Sequence, residues 1–234
     1  MSPRVKPVPA ATVMLVRDTD GGPEVYLMRR SLTASFVAGA FVFPGGRLDP
    51  QDHDPRWADF GVGLSSPDAD QRLGTVTGGL AYWVAALREA FEECGVLLAV
   101  DAGGEVLSLA DPATAERFLA YRHAVYRHDI SFLDLMATEG LRLSFDRVSY
   151  LTRRITPDRS PKRFDTRFFL ARVPDGQFAV HDDYELIESL WMRPDEALDR
   201  GSRGEMLIIE PTRDSLEFLL DGGSVDELLD RSML

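Results

Sequence analysis

The chain has 234 residues, of which 44% are hydrophobic and 27% are charged, and this balance indicates a folded globular protein rather than a disordered one. Its 38 acidic and 26 basic residues give a formal charge of -12, which opposes the phosphate contacts that general nucleic-acid binding requires. We therefore expect no nucleic-acid partner, and an anionic substrate would need cations to bridge it to so acidic a protein.

Strand and helix patterns alternate along the chain and predict an α+β fold of the α/β/α sandwich type, with a mixed β-sheet between helices. The predicted strands cover residues 11–16, 24–29, 41–43, 148–155, 166–173 and 186–192. The predicted helices cover residues 80–94, 111–128, 131–138, 194–198, 212–220 and 225–229. The turn at 18–23 makes the first two strands a hairpin, and residues 48–79 are predicted to be a long loop excursion. Asp111 is the predicted N-cap of its helix, with Pro112 at the first helical position.

One cysteine, Cys94, allows no intramolecular disulfide, and the sequence has no Cys/His cluster of the kind that binds zinc. The apolar run at residues 10–16 is too short to span a membrane and is predicted to be a strand. These features predict a cytoplasmic protein without a membrane partner. They leave the oligomeric state open, with a homodimer as one option.

Three glutamates share one stripe of the helix predicted over residues 80–94. Glu89, Glu92 and Glu93 stand at i, i+3 and i+4, in the last turn before Gly95, the predicted C-cap. Negative charge at this end is unfavourable because of the helix dipole and mutual repulsion, and a hard ion such as Mg²⁺ or Mn²⁺ would relieve both. The helix alone allows two interpretations, which are a metal site and a solvated acidic face.

Residues upstream of the helix favour the metal site. Phe43-Pro44-Gly45-Gly46 followed by Arg-Glu-Ala-Phe-Glu-Glu-Cys-Gly-Val resembles the Nudix box. That pattern has a glycine, five residues, a glutamate, seven residues and then R-E-U-x-E-E-x-G-U, where U is bulky and aliphatic. The second half is matched by Arg88, Glu89, Glu92, Glu93, Gly95 and Val96, whereas Ala90 replaces the first bulky residue.

The spacing departs from the pattern, because Gly46 and Arg88 are 42 positions apart where the family has 14. We place this insertion at residues 50–79, and a second, helical insertion at about 111–139. The first glutamate of the pattern has no clear counterpart, and its alternatives are Asp49, Asp52 and Asp54.

A long insertion at this point is similar to that of the peroxisomal Nudix hydrolases that act on coenzyme A and its acyl esters. A signature of coenzyme A diphosphatases is also matched in register by Leu27, Arg30, Ser31, Gly39 and residues 43–46, although Ser35 replaces its arginine and Met28 its threonine. The resemblance implies one Nudix domain over residues 1–234 that hydrolyses a diphosphate bond in such a nucleotide-linked small molecule. The alternatives are hydrolysis of ADP-ribose or NADH and a Nudix-fold binding module without catalysis.

The resemblance also implies roles for particular residues. Glu89 and Glu93 would be catalytic, and Mg²⁺ or Mn²⁺ would be held by Glu89, Glu92 and Glu93 with the Gly45 carbonyl. Arg30, Ser31 and Gly46 would bind substrate, whereas Arg88 and Gly95 would be structural, with Arg88 tying the loop to the helix and facing away from the ions.

Two further sets of residues are candidates for the site. Glu185 and Glu188 are predicted as an additional metal ligand or base, because side chains from one helix cannot surround a cluster of ions; the alternative is that they only add solubility. Basic residues are concentrated between Arg153 and Arg167, where Lys162 and Arg163 are predicted to bind the 3'-phosphate of coenzyme A. A solvated basic loop is the alternative for that segment.

Overall fold

The computed structural model describes residues 5–33, 37–180 and 186–232, and these ranges contain eleven strands and seven α-helices. The strands are β1 (Val8–Arg17), β2 (Glu24–Arg30), β3 (Ala40–Val42), β4 (Gly45–Arg47), β5 (Gly61–Val62), β6 (Ala99–Val100), β7 (Arg142–Ser144), β8 (Val148–Ile155), β9 (Phe164–Arg172), β10 (Leu186–Met192) and β11 (Leu207–Ile208). The helices are α1 (Ser66–Leu73), α2 (Leu80–Cys94), α3 (Pro112–Tyr126), α4 (Phe132–Glu139), α5 (Pro194–Ser202), α6 (Glu210–Leu219) and α7 (Val225–Ser232). None of the helices in these ranges is long and apolar enough to cross a bilayer.

The main sheet is mixed. Its strand order is β11-β3-β2-β1-β9-β8, with β10 paired to β2 and β4 paired to β1. Strands β1 and β2 form the predicted antiparallel hairpin, whereas β1 and β9 run parallel over residues 8–16 and 164–172. Strand β1 therefore lies in the interior of the sheet.

Helices cover both faces of this sheet. Val13 and Leu15 of β1 belong to the core that contains α2, whereas Met14 and Val16 belong to the core that contains residues of α5, α6 and α7. A strand that is buried on both faces is apolar at consecutive positions, as β1 is. The predicted α/β/α arrangement is confirmed.

Residues 50–79 are folded, and their prediction as a loop is wrong. They form two 3₁₀-helices (Pro50–His53 and Pro55–Ala58), strand β5 and helix α1. Strand β5 pairs with β7, which pairs with β6 in a separate three-stranded sheet. Trp57 packs its ring on Phe132 of α4, with the ring centroids 5.6 Å apart. The first insertion thus packs against the helical insertion, and the buried contacts hold it in place.

Long elements match the sequence prediction closely. Helix α2 has the predicted bounds, and Asp111 caps α3 by accepting the Thr114 N–H at 2.9 Å. Short strands such as β5 and β11 escaped prediction, because two residues carry no periodicity. Helix α1 does have sequence signals at both ends, because Ser65 is its N-cap and Gly74 its C-cap.

The end of α2 offers a test of its geometry. Gly95 is the C-cap and has a left-handed backbone with φ +73°. Gly95→Ala is expected to lower the free energy of unfolding by about 1–2 kcal/mol, because a Cβ disfavours that conformation. Urea denaturation would measure the loss, and Gly95→Asn should lose less. An alanine variant as stable as the parent would contradict this description of the cap.

Candidate active site

The predicted glutamates lie where the last turn of α2 meets β4. The Gly45 N–H donates a hydrogen bond to Glu93 Oε2 at 2.8 Å. A Cβ on Gly46 would lie only 2.2 Å from Glu89 Oε1, so no other residue fits there without moving that carboxylate. The two glycines therefore let the strand backbone approach the carboxylates, and the contact at Gly45 is made through its amide.

Arg88 is at the centre of the buried charges and is 2% exposed. Its Nε and Nη2 donate to the two oxygens of Asp52 at 2.9 and 3.0 Å, and Nη2 also donates to the Arg47 carbonyl at 3.1 Å. Its Nη1 lies 3.0 Å from Glu89 Oε1 and 3.3 Å from both oxygens of Glu92. Arg88 thus joins β4 and the segment that directly follows it to α2. It also contacts two of the three glutamates, Glu89 and Glu92.

Asp52 resolves the question of the first acidic residue of the box. Five residues separate Gly46 from Asp52, which is the spacing of the family pattern with aspartate in place of glutamate. Asp54 pairs with the neighbouring Arg56 instead, and the Asp49 N–H donates to Asp52 Oδ2 at 2.8 Å. The spacing from Gly46 was the available signal, and the insertion begins after Asp52.

The cluster carries more negative than positive charge. Burial raises the pKa of Asp52 and of Glu92, and burial with the nearby Glu92 charge raises the pKa of Glu89 to about 7. Burial alone would lower the pKa of Arg88, but its bonds to Asp52 and the adjacent carboxylates raise it, so the guanidinium stays charged. One guanidinium therefore faces two buried carboxylates and that of Glu89, which is 12% exposed, with Glu93 beside them.

This donor set fits a hard divalent cation in its chemistry. The negative charge of the carboxylates exceeds the positive charge of Arg88. Mg²⁺ and Mn²⁺ prefer carboxylate oxygens as ligands. In the described part of the chain, however, no three His, Cys, Asp or Glu side chains form a ready-made metal site. Arg88 holds Glu89 and Glu92, and the Gly45 amide holds Glu93, so an ion would compete with these donors.

Glu188 does not join the cluster. It lies beside Arg29 in the β10–β2 register, and its Oε2 is 3.4 Å from Arg29 Nη1. Arg29 follows Leu27 on the face opposite α2 and lies over Phe41, which belongs to the other core. Alternation along the strand therefore directs the Glu188 side chain to the face opposite α2. Glu185 lies outside the described residues.

Arg30 is on the same face as α2. It follows Tyr26 and Met28 at two-residue spacing, and both of these belong to the α2 core. Its Nε is buried and has no hydrogen-bond partner among the residues that the structure describes. Ser31 Oγ forms a local turn, because it lies 2.8 Å from Thr33 Oγ1 and accepts the Thr33 N–H at 3.2 Å. Arg30 is therefore placed for a ligand contact, whereas Ser31 is engaged locally.

Arg163 holds the β8–β9 hairpin together. Its Nε and Nη1 donate to the carbonyls of Thr156 and Val5 at 2.9 and 2.8 Å, and its Nη2 pairs with Asp158 at 2.7 Å. All three guanidinium nitrogens of Arg163 therefore have partners within the protein. Lys162 is exposed on the same turn.

Comparison with known proteins identifies the family and agrees with the fold. A model of the NUDT19 Nudix domain matches residues 65–217, more than half of the chain, so the chain belongs to the NUDT19 family of Nudix domains. It is 28% identical to the acyl-coenzyme A diphosphatase NUDT19 of Xenopus laevis, over 88% of this chain and 62% of that protein. The human protein of the same name is also 28% identical, over 88% of this chain and 63% of that protein.

A solved structure extends the likeness to the whole fold. The crystal structure of a NUDIX hydrolase from Alicyclobacillus acidocaldarius superimposes with a TM-score of 0.78 and 26% identity, covering 97% of this chain and 96% of the other. The chain spans less than two thirds of the length of the two curated relatives above. Family and fold therefore follow from the comparisons, whereas the activity requires its own test.

Proposed function

We propose that this protein hydrolyses a diphosphate bond in coenzyme A or in an acyl ester of coenzyme A. The observation that carries the proposal is the position of Glu89 against Gly46 and of Glu93 against Gly45, with the buried Glu92 beside them, in a member of this family. The relatives named acyl-coenzyme A diphosphatase support the substrate class.

In this proposal Glu89, Glu92 and Glu93 hold Mg²⁺ or Mn²⁺. Such an ion supplies a Lewis acid for phosphoryl oxygens and lowers the pKa of water. A carboxylate oxygen of Glu89 or Glu93 accepts the proton of the attacking water. Arg88 fixes the positions of Glu89 and Glu92, and Arg30 contacts an anionic group of the substrate.

The reaction adds one water across the diphosphate. The water oxygen bonds to one phosphorus, and the bond from that phosphorus to the bridging oxygen breaks. Cleavage of coenzyme A then gives adenosine 3',5'-bisphosphate and phosphopantetheine, or its acyl ester when the substrate is acylated. Chromatographic detection of these two products identifies the bond that is broken.

A direct screen tests the substrate class. Coenzyme A, an acyl ester, ADP-ribose and NADH are assayed with Mg²⁺ and with Mn²⁺, and the expected result is the highest kcat/KM for coenzyme A or its ester. Chelation with EDTA should abolish turnover, and added ion should restore it. A clear preference for ADP-ribose or NADH would assign the protein to the alternative enzyme class. No hydrolysis of any of the four would support a non-catalytic module.

A further inference from the structure

A second charged cluster lies on the α2 face of the sheet, two strands away from Gly46. In the register Gly46 of β4 is beside Ala11 of β1, Ala11 is beside Arg167 of β9, and Arg167 is beside Arg153 of β8. Neighbours in one row point to the same face, and Ala11 belongs to the α2 core. Both arginines are therefore on the glutamate side, and two strand spacings put the Arg167 Cα about 10 Å from that of Gly46.

Helix α2 extends along the same distance between Gly46 and Arg167. Tyr82 precedes Glu89 by seven residues, so the two share one side of the helix about 10 Å apart along its axis. The Arg167 guanidinium carbon lies 4.9 Å from the centre of the Tyr82 ring. Glu89 with Gly46 marks one end of this interval, and Tyr82 with Arg167 marks the other.

Arg153, Asp165 and Arg167 form a triad in which one carboxylate lies between two guanidinium groups. Arg153 Nε and Nη2 donate to the two Asp165 oxygens at 2.7 and 2.6 Å, and Arg167 Nη1 donates to Asp165 Oδ1 at 2.5 Å. The triad carries one net positive charge. Arg167 Nε is buried without a hydrogen-bond partner in the described ranges, and the Arg153 side chain is 49% exposed. The triad therefore reaches solvent through the Arg153 guanidinium, whereas Arg167 is buried beneath it.

We propose that the Arg153–Asp165–Arg167 triad binds a second phosphate group of the substrate, a phosphomonoester that a sugar separates from the scissile diphosphate. The inference rests on the proposed function and identifies which residues recognise the 3'-phosphate of coenzyme A. Guanidinium groups suit phosphate because their donors are planar and permanently charged. The triad takes the role predicted for Arg163, whose nitrogens bind Thr156, Asp158 and the Val5 carbonyl.

A calorimetric comparison isolates the contribution of the triad. Adenosine 3',5'-bisphosphate and AMP are titrated in the presence of Mg²⁺ into the parent protein, Arg153→Ala and Arg154→Ala. Arg154 is the matched control, because it follows directly on β8, is 48% exposed and pairs with Asp214 on the opposite face. The parent and Arg154→Ala are expected to bind the bisphosphate at least about tenfold more tightly than AMP, since charged hydrogen bonds recognise the additional phosphate. Arg153→Ala should reduce that ratio to within about twofold.

The same preparations separate this inference from the proposed function. Hydrolysis of coenzyme A by the parent protein tests the function, and its absence contradicts the function whatever the binding ratios are. If coenzyme A is hydrolysed but the parent shows no preference for the bisphosphate, or Arg153→Ala keeps that preference, the triad assignment is overturned. Arg153→Gln replaces the alanine variant in both measurements if the latter does not fold.

Discussion

Glu93→Gln is expected to lower kcat/KM for diphosphate hydrolysis by at least roughly 100-fold, the scale seen when one group that stabilises transition-state charge is removed. Glutamine keeps an oxygen that accepts the Gly45 N–H, so the contact between β4 and α2 survives while the charge is lost. Steady-state kinetics with Mg²⁺ and Mn²⁺ would measure the loss, and the melting temperature would verify folding. Glu89→Gln should behave in the same way.

Glu188→Gln is the matched control for these variants. It removes the same charge from a glutamate on the opposite face of the sheet, where Glu188 pairs with Arg29. Its kcat/KM should remain within about twofold of the parent, because an exposed pair contributes little. Near-normal turnover by Glu93→Gln, or an equal loss in Glu188→Gln, would show that the catalytic carboxylates are elsewhere.

Arg88→Met is expected to lower the free energy of unfolding by about 3–5 kcal/mol, the usual cost of breaking a buried ion pair by removing one partner. Methionine retains much of the volume, but Asp52, Glu89 and Glu92 lose the guanidinium that compensates them. Urea denaturation in metal-free buffer measures this change.

A double-mutant cycle identifies the cause of that loss. Asp52→Asn alone also leaves a buried charge less well paired, whereas Arg88→Met combined with Asp52→Asn removes both partners of the bidentate contact. The double variant should therefore lose less stability than the sum of the two single variants. Additive losses would show that the two side chains do not act on each other.

Sequence patterns predict elements well where the pattern is long. Helix α2 combines fifteen residues of helical periodicity with a glycine C-cap, so both its bounds and its type follow from local chemistry. The first insertion lacks such patterns, since its elements are short and are held by contacts such as that of Trp57 with Phe132. Tertiary packing determines the structure of that segment, and local sequence patterns therefore do not predict it.

Some residues of the candidate site can be predicted from the sequence, and others cannot. The helical glutamates and Gly45-Gly46 follow from spacing, and Asp52 would have followed from its distance to Gly46. The partners of Arg163 and Glu188 do not follow from the sequence, because the turn of the hairpin and the strand register determine them. The sequence gives the positions of charged residues along the chain, but the fold determines which of them form ion pairs.

Strand β1 comes first along the chain yet lies in the interior of the sheet. Its hairpin with β2 can form as soon as both strands exist, whereas its parallel partner β9 lies at residues 164–172. Closing so long a loop costs conformational entropy before the contacts between β1 and β9 can offset it. We therefore expect this pairing to be a late and slow step of folding. During synthesis the apolar edge of β1 remains open until β9 emerges, and such an edge readily pairs with other chains. Rapid or crowded production of this protein is therefore expected to favour aggregation at β1.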